Sequence, residues 1–334
     1  MTDILIKVQN LSKVYDILKG LIFKRKTASV FAVDDISFSI SRGETLGLVG
    51  ESGSGKTTTG KLLLKLIQPT KGLIVFDGTD ITHLPEKLLK DFRKRTGVVF
   101  QDPFSSLDPR MRVRDIIAEP LEIHRWGSKN DINLRVKELL ELVGLSSADA
   151  SRYPHQFSGG QRQRIAIARA IALEPDFIVA DEPVSALDVS VQAKIVNLFV
   201  KIKKEMKVAY LFISHDLAVV RHLADNVAIM YAGKIMEYGS SDEIFNNPRH
   251  PYTRALLSVI PVPDPQLMQT RRHVLLRGEP VSPINPAKNC RFSSRCPFAK
   301  QRCMEEEPFM DNLNGKHFVS CFYWREVEAL DVVE

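Results

Sequence analysis

The run Gly50-Glu51-Ser52-Gly53-Ser54-Gly55-Lys56-Thr57 interleaves glycines with hydroxyl residues and ends in a lysine and a threonine. In such a loop the glycines let consecutive backbone N–H groups turn inward around a β-phosphate. The lysine reaches the β- and γ-oxygens, and the threonine hydroxyl is a ligand for Mg²⁺. The candidate phosphate-binding set is therefore Gly50, Ser52, Gly53, Ser54, Gly55, Lys56, Thr57 and Thr58. A Gly/Ser-rich turn can match this pattern by chance, but the flanks argue against chance here. Residues 44–49 read as a short apolar strand, and residues 58–67 space Leu62, Leu63 and Leu66 at helical intervals. Strand, loop and helix N-terminus then converge on one anion.

Two further groups of residues could act on a bound phosphate chain. Asp181 and Glu182 follow the apolar run 177–180, at the strand end where parallel sheets bind ligands. Asp181 would hold Mg²⁺, and Glu182 would orient or deprotonate an attacking water. Ser158-Gly159-Gly160 precedes the helical run from Gln161, so Ser158 is a natural N-cap and the glycines leave backbone N–H groups uncovered. That makes a second anion-binding helix end. One phosphate chain rarely needs two from one subunit, which hints at a site shared with a partner. Alone, such a cap is more often a turn than a site.

The elements that position these residues read as an α/β fold. Residues 4–11 and 31–40 alternate like strands of an antiparallel sheet, with a basic insert between them. A strand at 72–77 and the run 96–100 ending at Gln101 follow. From about 103 to 173 the pattern is mainly helical, with 134–143 and 161–172 the clearest amphipathic pieces. This suggests an inserted helical subdomain. Residues 177–180 and 208–213 are continuous apolar runs, as expected of strands buried on both faces of a parallel sheet.

Composition narrows the class. At 334 residues the chain has material for one large domain or two ordinary ones. No stretch approaches eighteen consecutive apolar residues, and the opening residues lack a signal pattern, so a chain of the cytoplasm is expected. The net charge of +6 is scattered in short clusters such as residues 24–26, 93–95 and 271–272, which read as solvated surface. Prolines concentrate between 261 and 286, placing a linker there. The four cysteines, Cys290, Cys296, Cys303 and Cys321, all follow it.

Taken in order, the phosphate loop, Gln101, residues 157–161, residues 177–182, Ser185 to Asp188 and His215 resemble the ATP-binding cassette (ABC) ATPases over roughly residues 4–250. The stretch 250–261 resembles the oligopeptide/dipeptide importer ATPases, and the insert between Tyr15 and Phe31 resembles their F-type subunit. One departure is Phe157 where the wider family usually has Leu, which keeps an apolar anchor.

The resemblance implies roles at matching positions. Tyr15 would stack on adenine. Gln101 would touch Mg²⁺ and the attacking water, and His215 would contact the γ-phosphate and hold the geometry of Glu182. Ser158, Gly159, Gly160 and Gln161 would grip the nucleotide of a second subunit, with the Asp188 loop linking the two sites. It implies a P-loop NTPase core with an antiparallel β subdomain and an inserted helical subdomain, an ATPase domain over residues 1–262 with helices at about 102–173, and a C-terminal extension over 263–334. The partners implied are a second ABC ATPase subunit, transmembrane permease subunits and, indirectly, an extracytoplasmic peptide-binding protein. The implied location is the cytoplasmic face of the membrane, with peptides as cargo and no nucleic acid. A nickel or other small-solute importer, or a soluble cassette ATPase on nucleic acid or ribosomes, stands as the alternative.

For the cysteines, disulfides suit an oxidising compartment, which such an ATPase does not occupy. Zinc ligands usually come in pairs two to four residues apart, whereas the intervals here are five, six and seventeen. The resemblance favours a [4Fe–4S] cluster, which tolerates varied spacing; zinc and merely buried thiols stay open.

Overall fold

The computed structural model describes residues 3–19, 25–102, 106–259 and 278–329. In chain order its strands are β1 (Ile4–Lys19), β2 (Arg25–Ser41), β3 (Thr45–Val49), β4 (Lys71–Phe76), β5 (Thr79–Asp80), β6 (Thr96–Val99), β7 (Phe177–Asp181), β8 (Ala209–Ser214), β9 (Asn226–Tyr231), β10 (Lys234–Ser240), β11 (Asp311–Asn312) and β12 (His317–Val319). Its helices are α1 (Lys56–Leu63), α2 (Lys90–Lys94), α3 (Val113–Ile123), α4 (Lys129–Leu142), α5 (Gly159–Ala170), α6 (Val189–Met206), α7 (Leu217–Leu223), α8 (Ser241–Asn246), α9 (Pro251–Ser258), α10 (Gln301–Glu305) and α11 (Trp324–Ala329). The chain divides into two compact units, a first drawn from residues 1–5, 40–45 and 83–214 and a second from 6–39, 46–82 and 215–334.

In the first unit β8, β7 and β6 lie parallel, with Phe177 of β7 opposite Ala209 on one side and Thr96 on the other. Every residue of β8 is buried, and β7 is buried up to Asp181, so the continuous apolar runs in the sequence correspond to strands covered on both faces. The stretch expected to be helical carries α3, α4 and α5. Val113, Ile116, Ile117 and Leu121 give α3 a buried stripe at helical spacing, and α3 packs on both α4 and α5. Helix α4 starts at Lys129, earlier than its apolar pattern, because Ser128 and Asp131 form a reciprocal capping box. The same device starts α5: Ser158 caps Gln161 N–H, and the Gln161 side chain accepts from Ser158 N–H.

In the second unit β2, β1, β4 and β5 form an antiparallel sheet. β1 and β2 run well into the basic insert, beyond the alternating segments seen in sequence. Across them Asp16 pairs with Lys26 at 2.7 Å and accepts from the Ser29 hydroxyl at 3.0 Å. Polar cross-strand pairs replace apolar alternation here, so the period-2 signal vanishes while the pairing continues. The tip, residues 20–24, lies outside the described residues, as do the first half of the expected linker and the expected domain boundary at 262.

The other strands of this unit follow the order β11, β12, β10, β9, β3, with β3 and β9 parallel from Leu46 opposite Asn226. The β9–β10 hairpin turns at Ala232 and Gly233, with φ of 44° and 88°. The C-terminal segment joins the same sheet, β12 pairing antiparallel to β10 with Glu237 opposite Val319. Downstream of the undescribed stretch, Pro283 O accepts from Phe31 N–H at 2.9 Å and Asn285 N–H donates to Ser29 O at 2.8 Å, so this segment runs along β2. Among the described residues, no helix is long and apolar enough to cross a membrane.

One buried polar knot ties these pieces. The Glu237 carboxylate on β10 is fully buried and accepts from the backbone N–H groups of Arg249 at 2.6 Å and His250 at 2.9 Å, and contacts His317 Nε2 at 2.7 Å. His250 is itself buried; its Nδ1 accepts from Tyr252 N–H at 3.0 Å, and the Ser320 backbone holds its ring too. Burial pushes the His250 pKa down to about 4, against the Glu237 charge, which favours the protonated ring.

Two outcomes are expected. Glu237→Leu removes the acceptor from three buried donors and should cost about 3–5 kcal/mol in denaturant unfolding, since breaking a buried charged network is far costlier than never having one. An unchanged midpoint would refute the role given to this knot. Because His250 stays neutral in the folded chain down to about pH 4 whereas an unfolded histidine takes up a proton near 6.5, the unfolded state binds more protons in that window. Stability should therefore fall on acidification from pH 6.5 towards 4. His250→Asn, whose amide oxygen can replace Nδ1 as acceptor, should flatten that slope in pH-dependent melts.

Candidate functional site

The phosphate loop lies between β3 and α1 in the second unit. Gly50 cannot carry a side chain: a Cβ there would stand 2.0 Å from Met230 O. Gly55, with φ of 108°, would place its Cβ 2.2 Å from Ala32 O, and Gly53 also has a left-handed φ of 78°. The loop is thus pressed against β9 and β2 on one side and free of side-chain bulk where its amides turn. Helix α1 has Gly55 at its N-cap with no side-chain cap and no acidic residue in its first turn, so no carboxylate of its own opposes an anion at that helix end.

Lys56 is only 4% exposed, with its ammonium donating to Gly50 O and Glu51 O, both at 2.8 Å. A buried ammonium cradled by loop carbonyls is a charge placed to meet phosphate oxygens. Ser54 is buried and its backbone accepts from Gly233 N–H at 2.9 Å, while Ser52 and Thr57 are exposed and Thr58 half-buried. These residues fit a triphosphate with Mg²⁺ in donor chemistry and in the space left by the glycines. Tyr15, also in this unit, is 42% exposed, with the Lys13 ammonium 4.9 Å from its ring centroid. His215 is exposed and stands one residue before Asp216, the cap of α7.

In the first unit the structure brings two of the expected catalytic residues together. Gln101 Nε2 donates to Glu182 Oε2 at 3.1 Å. Glu182 adopts φ of 46°, a left-handed conformation that costs a non-glycine residue about 1–3 kcal/mol and is found where a side chain must be aimed. It is held there by Glu182 N–H donating to Ile213 O at 2.9 Å and by the Ser185 hydroxyl donating to Glu182 O at 3.0 Å. Asp181 ends β7 opposite Ile213.

The Ser158 cap, Gly159 and Gly160 open α5. A Cβ at Gly160 would lie 2.4 Å from Val191 Cγ1, so this glycine lets α5 meet the start of α6. That start is capped by Asp188, whose carboxylate accepts from Val191 N–H at 3.0 Å and from the Ser190 hydroxyl at 2.8 Å. The Ser190 hydroxyl is the first cause holding the Asp188 carboxyl below its usual range. Phe157 is buried under the Arg152 guanidinium, 4.6 Å from its ring centroid, and so serves as the apolar anchor expected of it.

Cys290, Cys296, Cys303 and Cys321 are free thiols in one neighbourhood, Cys290 N–H donating to Cys303 O at 3.1 Å. Burial first, then the neighbouring thiols, pushes Cys290 and Cys321 up to about 12; burial pushes Cys296 up to about 11. The donor chemistry suits an iron–sulfur cluster. The arrangement does not: among the described residues no group of three or more His, Cys, Asp or Glu is placed to hold a metal ion. The sequence expectation of a [4Fe–4S] cluster therefore gains no support from the side-chain geometry.

Sequence reading missed Glu51, Tyr252 and Arg295. Arg295 forks its guanidinium Nη1 onto both oxygens of Glu51, at 3.0 and 2.8 Å, and Glu51 N–H donates to the Tyr252 hydroxyl at 3.0 Å. Only the spacing of Glu51 within the loop was visible beforehand; partners some two hundred residues away leave no local signal.

Comparison with known proteins agrees with this geometry. The ABC transporter family matches residues 33–185, and the family described as "Oligopeptide/dipeptide transporter, C-terminal region" matches residues 236–303. The oligopeptide transport ATP-binding protein AppF of Bacillus subtilis is 50% identical over 96% of this chain and 97% of its own length. A putative peptide import ATP-binding protein of Brucella ovis is 50% identical over 90% of this chain and 94% of its own. Among solved structures, the ATP-binding cassette MJ0796, a dimer bound to ADP and Pi, matches with a TM-score of 0.63 and 29% identity over 71% of this chain and 99% of that one. The cbiO1 protein of Clostridium perfringens, part of the transporter complex cbiONQ, matches with a TM-score of 0.63 and 28% identity over 73% and 92%. The fold is that of the P-loop NTPases in its cassette form, and the chain belongs to the ATP-binding proteins of the ABC transporters.

Proposed function

We propose that this chain is the ATP-hydrolysing subunit of an importer for dipeptides or oligopeptides, acting at the cytoplasmic face of the membrane with permease subunits. Family membership makes it an ATPase. The observation that carries the cargo class is the joining, on one chain, of the cassette's phosphate loop with a C-terminal region matching oligopeptide/dipeptide transporters. Relatives sharing half its residues along nearly its whole length carry peptide-import names, which supports the same reading.

The residues divide the work as follows. Lys56 and the amides of Gly53, Gly55 and the first turn of α1 bind the phosphate chain, with Ser52, Ser54 and Thr58 completing the loop. Tyr15 stacks on the base. Glu182, oriented by its hydrogen bond from Gln101, accepts the proton of the attacking water. His215 donates to the γ-phosphate. Thr57, Gln101 and Asp181 would hold Mg²⁺, which when bound neutralises charge on the phosphate oxygens. Ser158, Gly159, Gly160 and Gln161 serve the nucleotide of a second ATPase subunit, so that closure of the dimer drives the permease and an external binding protein supplies the peptide. The proposal also gives Cys290, Cys296, Cys303 and Cys321 a [4Fe–4S] cluster, resting on four free thiols within the last 45 residues of the chain and not on their side-chain placement.

Glu182→Gln keeps the shape of the side chain and the contact to Gln101 but removes the base. ATP binding should stay within about threefold of wild type while turnover falls by at least about a hundredfold, and the ATP-bound dimer should persist on a sizing column. Undiminished turnover would assign the water to another residue. For the cysteines, anaerobically purified protein should be brown and carry iron and acid-labile sulfide, both lost in Cys290→Ser; colourless, iron-free protein would remove the cluster from the proposal.

A further inference from the structure

We propose that Arg295, carried by the C-terminal cysteine-bearing segment, is a positioning residue of the phosphate loop, holding the Glu51 carboxylate so that the loop keeps its shape and presents no free negative charge to the triphosphate. This rests on the reading of the loop as the nucleotide site. It assigns to the C-terminal segment a direct part in nucleotide binding.

Glu51 is the second residue of the loop and is fixed at three points. Its carboxylate takes the two hydrogen bonds from Arg295, its N–H donates to the Tyr252 hydroxyl, and its carbonyl accepts from Lys56 Nζ. Arg295 thus stands in series with the lysine that must meet the phosphate. The guanidinium is nearly buried, at 8% side-chain exposure against 25% for Glu51, and lies 5.7 Å from the centroid of the Tyr231 ring. Tyr231, Tyr252 and Phe292 form a mutually packed aromatic cluster, ring centroids 4.8 to 5.4 Å apart, that seats this corner. Three residues along from Phe292, Arg295 is further fixed by its N–H, which donates to Phe292 O at 3.0 Å.

A carboxylate in the first turn of a triphosphate-binding loop is unfavourable on electrostatic grounds alone. Polyanionic ligand and carboxylate repel at an effective dielectric well below that of water. A largely desolvated guanidinium whose Nη1 is shared between both carboxylate oxygens offsets that repulsion and fixes the side chain's direction at once. Truncating the arginine leaves the carboxylate uncompensated, and the released Glu51 would also be free to draw Lys56 away from its ligand.

The test is binding of a fluorescent ATP analogue with Mg²⁺ to the full chain, alongside kcat. Lys56→Ala should abolish binding seen with wild type. Arg295→Met should raise the nucleotide Kd by about tenfold or more, with kcat at saturation changed far less, and Arg295→Lys should give about two- to threefold. In a Glu51→Gln background the same Arg295 substitutions should change Kd by less than twofold, because the charge they expose is gone. Wild-type affinity in Arg295→Met, or an equal loss with and without Glu51→Gln, would overturn the proposal while leaving the nucleotide reading intact. Should Arg295→Met not fold, the graded Arg295→Lys effect and its disappearance in Glu51→Gln decide the matter in the same way. A wild-type chain that binds no ATP would overturn the nucleotide reading and this inference with it.

Discussion

The constraint on which this molecule turns is steric: a strip of backbone between β3 and α1 must present its amides with nothing hanging from them. Gly50 has no room for a methyl group against Met230 O, and Gly55 has none against Ala32 O while adopting a left-handed φ. Both obstacles are carbonyl oxygens of flanking strands, which cannot move aside as a flexible side chain can. The strands that back the loop therefore set its glycines, and the glycines make the exposed amides that an anion needs. Lys56 completes the arrangement by being buried inside the loop's own carbonyls, so its charge is directed inward.

The same logic, a local conformational cost accepted to aim a group, recurs at Glu182. Glu182 takes its positive φ directly after β7. It is held there by the backbone of β8, by Ser185 and by Gln101. Helix α5 uses the opposite device, a fully satisfied capping box that fixes where its first amides lie without strain. Phosphate loop, carboxylate and capped helix each hold their polar groups in place through the fold's own backbone and side-chain contacts, as the proposed reaction would require.

Much of this was legible in the sequence because its signals are local. Glycine spacing gave the loop, continuous apolar runs gave β7 and β8, and Ser158 ahead of two glycines gave the cap of α5, which starts at Gly159, two residues before the helical run read from Gln161. The β9–β10 hairpin was not among the expected elements although Ala232-Gly233 sits between apolar runs; no strand was placed between His215 and residue 250. The insert between Tyr15 and Phe31 carries no period-2 signal because its strands pair through Asp16, Lys26 and Ser29 and not through apolar alternation. Gln101 meant nothing by itself; only the resemblance gave it a role, and its bond to Glu182 joins positions 81 residues apart. Arg295 and Glu51 are 244 apart, and neither lies in a pattern that periodicity can detect.

Contacts of that long range follow a common rule in the second unit. Asp34 on β2 binds both Arg291 and, at 3.3 Å, Lys234; Glu51 in the phosphate loop binds Arg295; Glu237 on β10 binds His317. In three of these pairs a cassette acid meets a base of the C-terminal segment, and each is wholly or largely desolvated. Such pairs add little net stability over apolar packing, because desolvation offsets their attraction. They differ from apolar contacts in direction: a greasy patch tolerates sliding by an ångström, whereas a hydrogen-bonded ion pair does not. A segment attached only to enlarge a core would have needed no such pairs. One that must hold Glu51, and through it the carbonyl gripped by Lys56, needs a fixed register, which Asp34 and Glu237 supply on either side of it.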